Sequence, residues 1–399
     1  MAGIVVIGGG IAGSAAALAL HKAGFEVAVY EAHPGTGADI GAFLTLASNG
    51  MRALAQFDAA EAVAGIGFPI VTMSLVDATG AELATMPLGE HDHPLRRYRC
   101  LRRAELAAAL QQEVQRRGIP IRHAARLAAV TEDAAGTTAT FADGTSATGD
   151  LLVGADGLHS TVRSHLDPAT PAYAGQSVFY GYTTEAEPHG EREGITMIRG
   201  SGAAFGYLVS PAGETFWFAR VPGPAVAAEQ VAGATPAQWR EHLLPLLRTD
   251  TTPAADIVAA TGHDLMVTNA LHLSPGIRWR SRGAVLIGDA AHAASPATGQ
   301  GASMALEDAV ILAKALRDAD TFAAALDRYE RHRRPRVERN IAVSAQLTSG
   351  GPGPTSSAVG NAALSRREPP RPDDELNHLL DWHTPLPALA LRESGARDR

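Results

Sequence analysis

Residues 4–13, Ile4-Val5-Val6-Ile7-Gly8-Gly9-Gly10-Ile11-Ala12-Gly13, decide the fold. The β-branched run Ile4–Ile7 reads as a short strand buried in a parallel sheet. Ser14 to Ala23 is Ala/Leu-rich and predicts a helix, with Gly24 placed to end it. Glu26-Val27-Ala28-Val29-Tyr30 returns as a second strand, so a βαβ unit begins with the first residues of the chain. Between strand and helix, Gly8 permits the tight turn, Gly10 lets backbone amides reach a pyrophosphate, and Gly13 allows close helix–strand packing; Ile11 and Ala12 complete this dinucleotide fingerprint. Glu31, closing the second strand, can accept from the hydroxyls of an adenosine ribose and would repel a 2′-phosphate, which selects FAD or NAD over NADP at this site.

Two further stretches follow buried strands. Ala284-Val285-Leu286-Ile287 leads into Gly288-Asp289-Ala290-Ala291-His292, then Pro296-Ala297-Thr298-Gly299-Gln300-Gly301, then a helix starting near Ala302. Asp289 at the strand end can bond the sugar-alcohol hydroxyls of a flavin side chain, or can simply cap a helix entry. Pro296 rigidifies the turn, and Gly299 and Gly301, on either side of Gln300, let backbone lie flat against a planar ring. The helix N-terminus would favour negative charge on that ring. Asp150-Leu151-Leu152-Val153-Gly154 leads into Ala155-Asp156-Gly157-Leu158-His159-Ser160-Thr161-Val162-Arg163. Asp156 can lie near a dinucleotide with Arg163 on backbone or phosphate, or the segment is an Asp-Gly turn with Ser160 capping a helix.

The rest of the chain frames these motifs. At 399 residues, 46% hydrophobic and 19% charged, it suits a soluble enzyme of two domains or one elaborate one. A net charge of −8 argues against nucleic acid or an anionic membrane as partner. Cys100 is the only cysteine, which excludes an intrachain disulfide and a thiolate metal cluster and suits a reducing cytoplasm. No basic n-region precedes the first strand and no long uninterrupted apolar window occurs, so neither a signal peptide nor a membrane anchor is expected. Leu101 to Gly118 predicts a helix. From 168 to 275 the pattern changes to alternating aromatic strands, Ser177–Tyr182, Ala204–Val209 and Thr215–Ala219, the last two joined by the hairpin loop Ser210–Glu214. The expected fold class is α/β: a Rossmann-like nucleotide-binding domain (1–67, 100–167 and 276–348) interrupted by a mainly antiparallel sheet domain (68–99 and 168–275), with C-terminal helices and a tail over 349–399. Gly350–Pro354 and Arg367–Asp374 read as loop or tail.

Taken together, the three motifs resemble those of the single-component FAD-dependent aromatic hydroxylases, the class typified by 4-hydroxybenzoate and salicylate hydroxylases, over residues 3 to 345. Gly8-x-Gly10-x-x-Gly13 resembles the nucleotide motif, Gly154–Gly157 the Asp-Gly motif that serves both FAD and NAD(P)H, and Gly288–Gly301 the Gly-Asp motif. Leu101-Arg102-Arg103-Ala104-Glu105-Leu106 is similar to the family's Arg-x-x-Leu element, which implies that Arg103 contacts the flavin; by position, Leu127 is expected at the adenine through its backbone. The resemblance implies an NAD(P)H- and O2-dependent monooxygenase that hydroxylates or epoxidises an electron-rich aromatic or polycyclic molecule through a flavin C4a-hydroperoxide, acting as a monomer or homodimer. His33 departs from the basic residue usual after the ribose acid, and the thioredoxin-like extension of the phenol hydroxylase branch is not expected. No motif marks the substrate; Phe205, Tyr207, Phe216 and Phe218, with Phe179 and Trp217, are candidates to wall its pocket, and alternation allows only about half of them to face it. No catalytic acid or base is assigned.

Other clusters read as structural. His91-Asp92-His93 lacks a third metal ligand, Arg331-His332-Arg333-Arg334-Pro335-Arg336 reads as a solvated helix end, His292 as a packing residue and Cys100 as a small buried hydrophobe. Two rival functions share the scaffold: a flavin reductase of the geranylgeranyl reductase kind, and a cyclase or binding module that keeps FAD as structure. A flavin halogenase is disfavoured because no Trp-x-Trp-x-Ile-Pro segment occurs.

Overall fold

The computed structural model describes residues 2–35, 42–90, 92–186, 188, 193–349 and 374–387. Five parallel strands form its first layer, in the order Ala284–Leu286, Leu151–Gly154, Gly3–Ile7, Glu26–Tyr30, Ile121–Arg122. Both faces are covered, which is why these strands carry apolar runs rather than alternation: Val6, Leu152, Val153 and Val285 have no exposed surface. Helix Ile11–Lys22 covers the sheet immediately after the first strand, and its Ala15–Leu20 stretch is fully buried against the helix Gly301–Arg317. Alanine at these positions lets the two helix backbones approach closely. The chain leaves the first helix through Gly24, whose φ of +92° is the left-handed turn expected there.

A seven-stranded sheet forms the other main layer, in the order Leu265–His272, Ala172–Thr183, Thr215–Pro222, Ala204–Val209, Gly194–Arg199, Thr72–Asp77, Glu82–Pro87. All its pairings are antiparallel except that of Gly194–Arg199 with Thr72–Asp77. The hairpin at Ser210–Glu214 forms as expected, closed by the Ser210 amide on the Glu214 carbonyl. Strict alternation gives this sheet two different faces. One face packs Phe179, Phe205 and Trp217 against the helices Pro236–Leu247 and Ala254–Ala259 through Trp239, Leu243 and Ile257. The other looks toward the parallel layer. A three-stranded sheet, Phe43–Leu46, Arg99–Arg102 and Phe68–Pro69, fills the corner between them.

Two sequence expectations are corrected. Leu101 and Arg102 belong to a strand, and the helix runs over Arg103–Arg116, because Cys100 and Leu101 are buried where their backbone pairs with Phe43–Leu46 and Phe68–Pro69. The Arg331–Arg336 cluster does not end a helix; it lies midway along the 27-residue helix Phe322–Thr348, with Pro335 inside it and Arg333 buried. The loop expected over Gly350–Pro354 lies outside the described residues, as does Arg367 to Pro372 with Asp373, while Asp374–Leu380 is a helix.

Candidate functional site

The three glycines of the N-terminal motif have different physical reasons. A Cβ on Gly8, at φ +101°, would lie 2.4 Å from the Ala155 carbonyl oxygen, and one on Gly13 would lie 1.8 Å from the Gly8 oxygen. Both are required by the fold itself. Gly10 has φ −71° and ψ −164°, which any residue adopts, and nothing in the protein lies within 4 Å of its missing Cβ. Gly10 opens onto a cleft of about 700 Å³, together with Ile11 and Ala12. Its helix begins without a side-chain cap and without an acidic residue in the first turn, so free amides meet the cleft. A pyrophosphate fits this cradle.

Glu31 holds the motif's backbone. Its Oε2 accepts from the Gly9 amide at 2.5 Å and its Oε1 from the His33 amide at 2.7 Å, leaving each oxygen a further lone pair for a sugar hydroxyl. The Gly9 carbonyl in turn accepts from Gln111 Nε2 at 2.7 Å and Ser14 Oγ at 2.9 Å. Gln111, nearly fully buried within a helix, escaped sequence reading; a polar residue in the apolar stripe of Leu106, Leu110 and Val114 was its signal. Arg103 starts that helix, exposed, and lines the cleft. Leu127 does not line it: it is buried in the main core at the head of strand Leu127–Glu132, although the Ala125 amide on the Glu31 carbonyl brings its segment alongside the motif.

Asp156 shows the capping arrangement. Its carboxylate accepts from Ser160 Oγ at 2.5 Å, the Thr161 amide at 2.7 Å and the Val162 amide at 3.1 Å, while Ser160 accepts from the Arg163 amide. Burial pushes its pKa up against the pull of these donors. Ala155 and Gly157 on either side line the cleft, so the motif presents backbone there rather than the Asp156 carboxylate. The Arg163 guanidinium donates to the carbonyls of Leu158, Ala169 and Ala290 and has no further hydrogen-bond partner among the described residues.

At the opposite wall Asp289 is exposed at the strand end and lines the cleft with Pro296, Gly299, Gly301 and Ala302. Gly299 has φ +64°, ending the turn Pro296–Thr298. Helix Gly301–Arg317 then starts with no side-chain cap and no acid in its first turn, so its positive end is available to negative charge in the cleft. Gln300 turns away and accepts from Asn49 Nδ2 at 3.2 Å.

Beneath this wall lies an ionic network that sequence reading missed. Arg333 donates to Glu307 at 2.5 Å and Asp308 at 2.7 Å, all three side chains being essentially without solvent. Asp308 also accepts from the Gly288 amide at 2.9 Å and contacts His292 Nε2 at 2.5 Å. Arg336 and Asn49 complete the partners of Glu307. Burial, the largest single influence, would raise both carboxyls; for Glu307 the charges of Arg333 and Arg336 with the hydrogen bonds of Arg336 and Asn49, and for Asp308 the charges of His292 and Arg333 with the hydrogen bonds of His292 and the Gly288 amide, together outweigh it and hold both below their ordinary range. The signal was present as Glu307-Asp308 in the otherwise apolar stretch Met304–Ala313 of that helix. His292 thus serves structure, and Cys100 is fully buried, with its thiol pushed up by burial.

The seven-stranded sheet supplies the floor. Phe218 lines the cleft, but Phe205, Tyr207 and Phe216 do not, and the expectation for those three is corrected. Phe205 and Tyr207 belong to the opposite face with Trp217, and Phe216, though on the near face, is covered by Phe43, Phe68 and Tyr182. The row actually presented is Met266, Tyr180, Phe218, Gly206 and Met197 across neighbouring strands; all but Gly206 line the cleft, as do Met73 and Arg220. Stepping by two from Phe218 identifies Arg220. No group of three or more potential metal ligands occurs among the described residues, from which His91 of the His-Asp-His cluster is missing, and no described helix is long and apolar enough to cross a membrane.

Comparison with known proteins adds a family to this geometry. The model of the FAD binding domain family matches residues 1–344. The chain is 30% identical over 352 residues to the aurachin C monooxygenase/isomerase of Stigmatella aurantiaca, covering 86% of this chain and 88% of that one. It is 32% identical over 351 residues to an FAD-dependent urate hydroxylase of Klebsiella pneumoniae, with the same coverage of 86% and 88%. A Streptomyces platensis 3-amino-4-hydroxybenzoate 2-monooxygenase is 33% identical, covering 84% of each chain. Among solved structures, Klebsiella pneumoniae HpxO complexed with FAD and uric acid superposes with a TM-score of 0.79 at 27% identity, covering 96% of both chains.

Proposed function

The chain belongs to the FAD binding domain family and is an FAD-dependent monooxygenase, and we propose that its substrate is an electron-rich aromatic or heteroaromatic molecule held on the near face of the seven-stranded sheet. One observation carries this reading: a single cleft joins the Gly10 cradle, the uncapped helix end at Gly301 and the floor of Met266, Tyr180, Phe218 and Met197. Bound FAD supplies electron transfer from NAD(P)H and activation of O2. The protein's residues do the rest. The helix end at Gly10–Ala12 takes the pyrophosphate, Asp289 accepts from the sugar-alcohol hydroxyls, and the helix end at Gly301–Ala302 stabilises negative charge. Flat, Cβ-free backbone at Gly299 and Gly301 leaves room for a planar ring. Methionine and aromatic side chains opposite it grip a second ring, orient it and exclude water. Tyr180, whose pKa burial raises to about 12, stays a neutral hydrogen-bond donor there.

The relatives named above are called hydroxylases or monooxygenases of urate, 3-amino-4-hydroxybenzoate and aurachin, which supports a ring substrate without fixing which one. The buried Cys100 supports a reducing cytoplasmic setting, in which we expect a monomer or homodimer. The purified protein is expected to be yellow, to oxidise NAD(P)H faster with substrate, and to yield a product labelled from 18O2. Substrate turnover without oxygen incorporation under anaerobic conditions would instead make it a reductase.

A further inference from the structure

Residues 294–299 line the cleft and lead into the helix end at Gly301. Their one backbone–backbone hydrogen bond among the described residues, from the Gly299 amide to the Pro296 carbonyl at 3.1 Å, closes the turn on itself. The hydrogen bonds that tie the turn to the rest of the protein come from two hydroxyls, and both go to the last turn of helix Phe322–Thr348. Thr298 Oγ1 lies 3.0 Å from Ser344 Oγ, and Ser295 Oγ lies 2.5 Å from Thr348 Oγ1. Ser344 has no exposed surface, and Ser295 is buried as well.

The direction of these bonds follows from what a hydroxyl can do: it carries one proton and two lone pairs. Thr348 Oγ1 donates its proton to the Ser344 carbonyl at 2.7 Å. That leaves it an acceptor, so Ser295 donates to it, and its second lone pair accepts from Gln176 Nε2 at 3.4 Å. Gln176 is buried on strand Ala172–Thr183, two residues before Val178 and four before Tyr180, which both line the floor of the cleft. One threonine hydroxyl, with all its capacity used, therefore joins the floor strand, the long helix and the turn. The helix itself gains nothing from hydroxyls at these positions, since serine and threonine are poorer helix formers than alanine.

We propose that Ser344 and Thr348 are positioning residues: their hydroxyls clasp the turn Pro296–Thr298 and so fix the N-terminus of helix Gly301–Arg317 against the flavin ring. The proposal rests on the reading that the ring lies against Gly299 and Gly301. A helix end acts over about one turn, so a small displacement weakens its hold on the reduced, negatively charged ring more than on the oxidised one. The test reads the flavin in the FAD-loaded enzyme, without turnover. Midpoint potential and visible absorbance are measured for wild type, Ser295→Ala, Ser344→Ala, Thr348→Val and Thr348→Ser, with unfolding of the FAD-free forms alongside. Ser295→Ala and Thr348→Val are each expected to weaken binding of reduced relative to oxidised flavin about three- to tenfold, a fall of about 15–30 mV for a two-electron couple. Thr348→Ser keeps the hydroxyl and should stay at the wild-type potential. Because Ser295 and Thr348 share one bond, combining Ser295→Ala with Thr348→Val should shift the potential no further than Thr348→Val alone. Lost stability with an unmoved potential and spectrum overturns the proposal, and so does a Thr348→Ser variant that behaves like Thr348→Val. If the helix variants do not fold, Ser295→Ala, changed in the turn itself, decides by the same readout. A protein that takes up no FAD overturns the flavin reading as a whole, whereas a yellow protein whose flavin ignores all these changes overturns the clasp alone.

Discussion

Replacing Arg333 with methionine removes the cation from a site where it, Glu307 and Asp308 are all essentially without solvent. Breaking a buried pair from one side costs about 3–5 kcal/mol, because the remaining charge is left unpaired. Here the lower end, about 3 kcal/mol, is expected, since Arg336 and Asn49 still hold Glu307 and His292 and the Gly288 amide still hold Asp308. That is a large part of a domain's usual 5–15 kcal/mol. The pH dependence gives the sign. In the native protein both carboxyls are held below their ordinary range, so they contribute stability that is full above about pH 4–5 and lost as pH falls through the lower folded values. Without Arg333 the burial contribution grows in weight and the folded values rise. The destabilisation relative to wild type should then be largest near pH 7 and shrink toward pH 5, as the orphaned carboxyls take up protons. Urea unfolding of FAD-free and FAD-loaded protein at both pH values measures this directly. Because Asp308 holds the Gly288 amide, FAD affinity should weaken along with stability. A loss below about 1 kcal/mol at pH 7, or one that grows on acidification, would refute the assignment of this network as a charge-paired support for the Asp289 turn.

The glycines of the N-terminal motif should separate by assay: Gly13→Ala, with its Cβ 1.8 Å from the Gly8 oxygen, destabilises even the FAD-free protein, whereas Gly10→Ala meets nothing in the protein and should unfold normally while losing FAD affinity at least tenfold. Lys314 donates to the carbonyls of Leu379 and Asp381 at 2.5 and 2.6 Å, and burial lowers its pKa to about 8. Between about pH 8 and 10.5 the unfolded chain binds more protons than the folded one, so its contribution to stability rises with pH in that window; Lys314→Met should abolish the rise and speed proteolysis of residues 374–387. Cys100, buried with a raised pKa, should resist alkylation in the native protein and react on unfolding.

What the sequence made legible is what local backbone chemistry determines. The βαβ unit, the Gly10 helix end and the Asp289-to-Gly301 turn each depend on residues close together in the chain, so their spacing could be read without knowing the tertiary partners. The Arg331–Arg336 cluster was misread because its meaning depends on Glu307 and Asp308, more than twenty positions earlier. Taken alone, Arg333 has the composition of a helix end; opposite two buried acids it is a core residue. Phe205 and Tyr207 failed for a related reason: alternation shows that two faces exist, but only the helices Pro236–Leu247 and Ala254–Ala259 decide which face is covered.

The same distinction explains why the cofactor is easier to infer than the substrate. Most of the wall proposed for the cofactor is built from backbone: helix N-termini, Cβ-free positions and amides fixed by Glu31, all of which demand glycine or a set turn at fixed spacing. The floor opposite is a row of one residue from each of several strands, where Met266, Tyr180, Phe218, Gly206 and Met197 come from separate parts of the chain. Any of these side chains can change without disturbing the strand that carries it, because the ladder is made by the backbone. Gly206 shows the limit of that freedom: a Cβ there would lie 2.5 Å from the Phe218 ring, so the shape of the floor at that point depends on its absence. Substrate choice is therefore expected to reside in this cross-strand row, while the wall opposite it can stay constant.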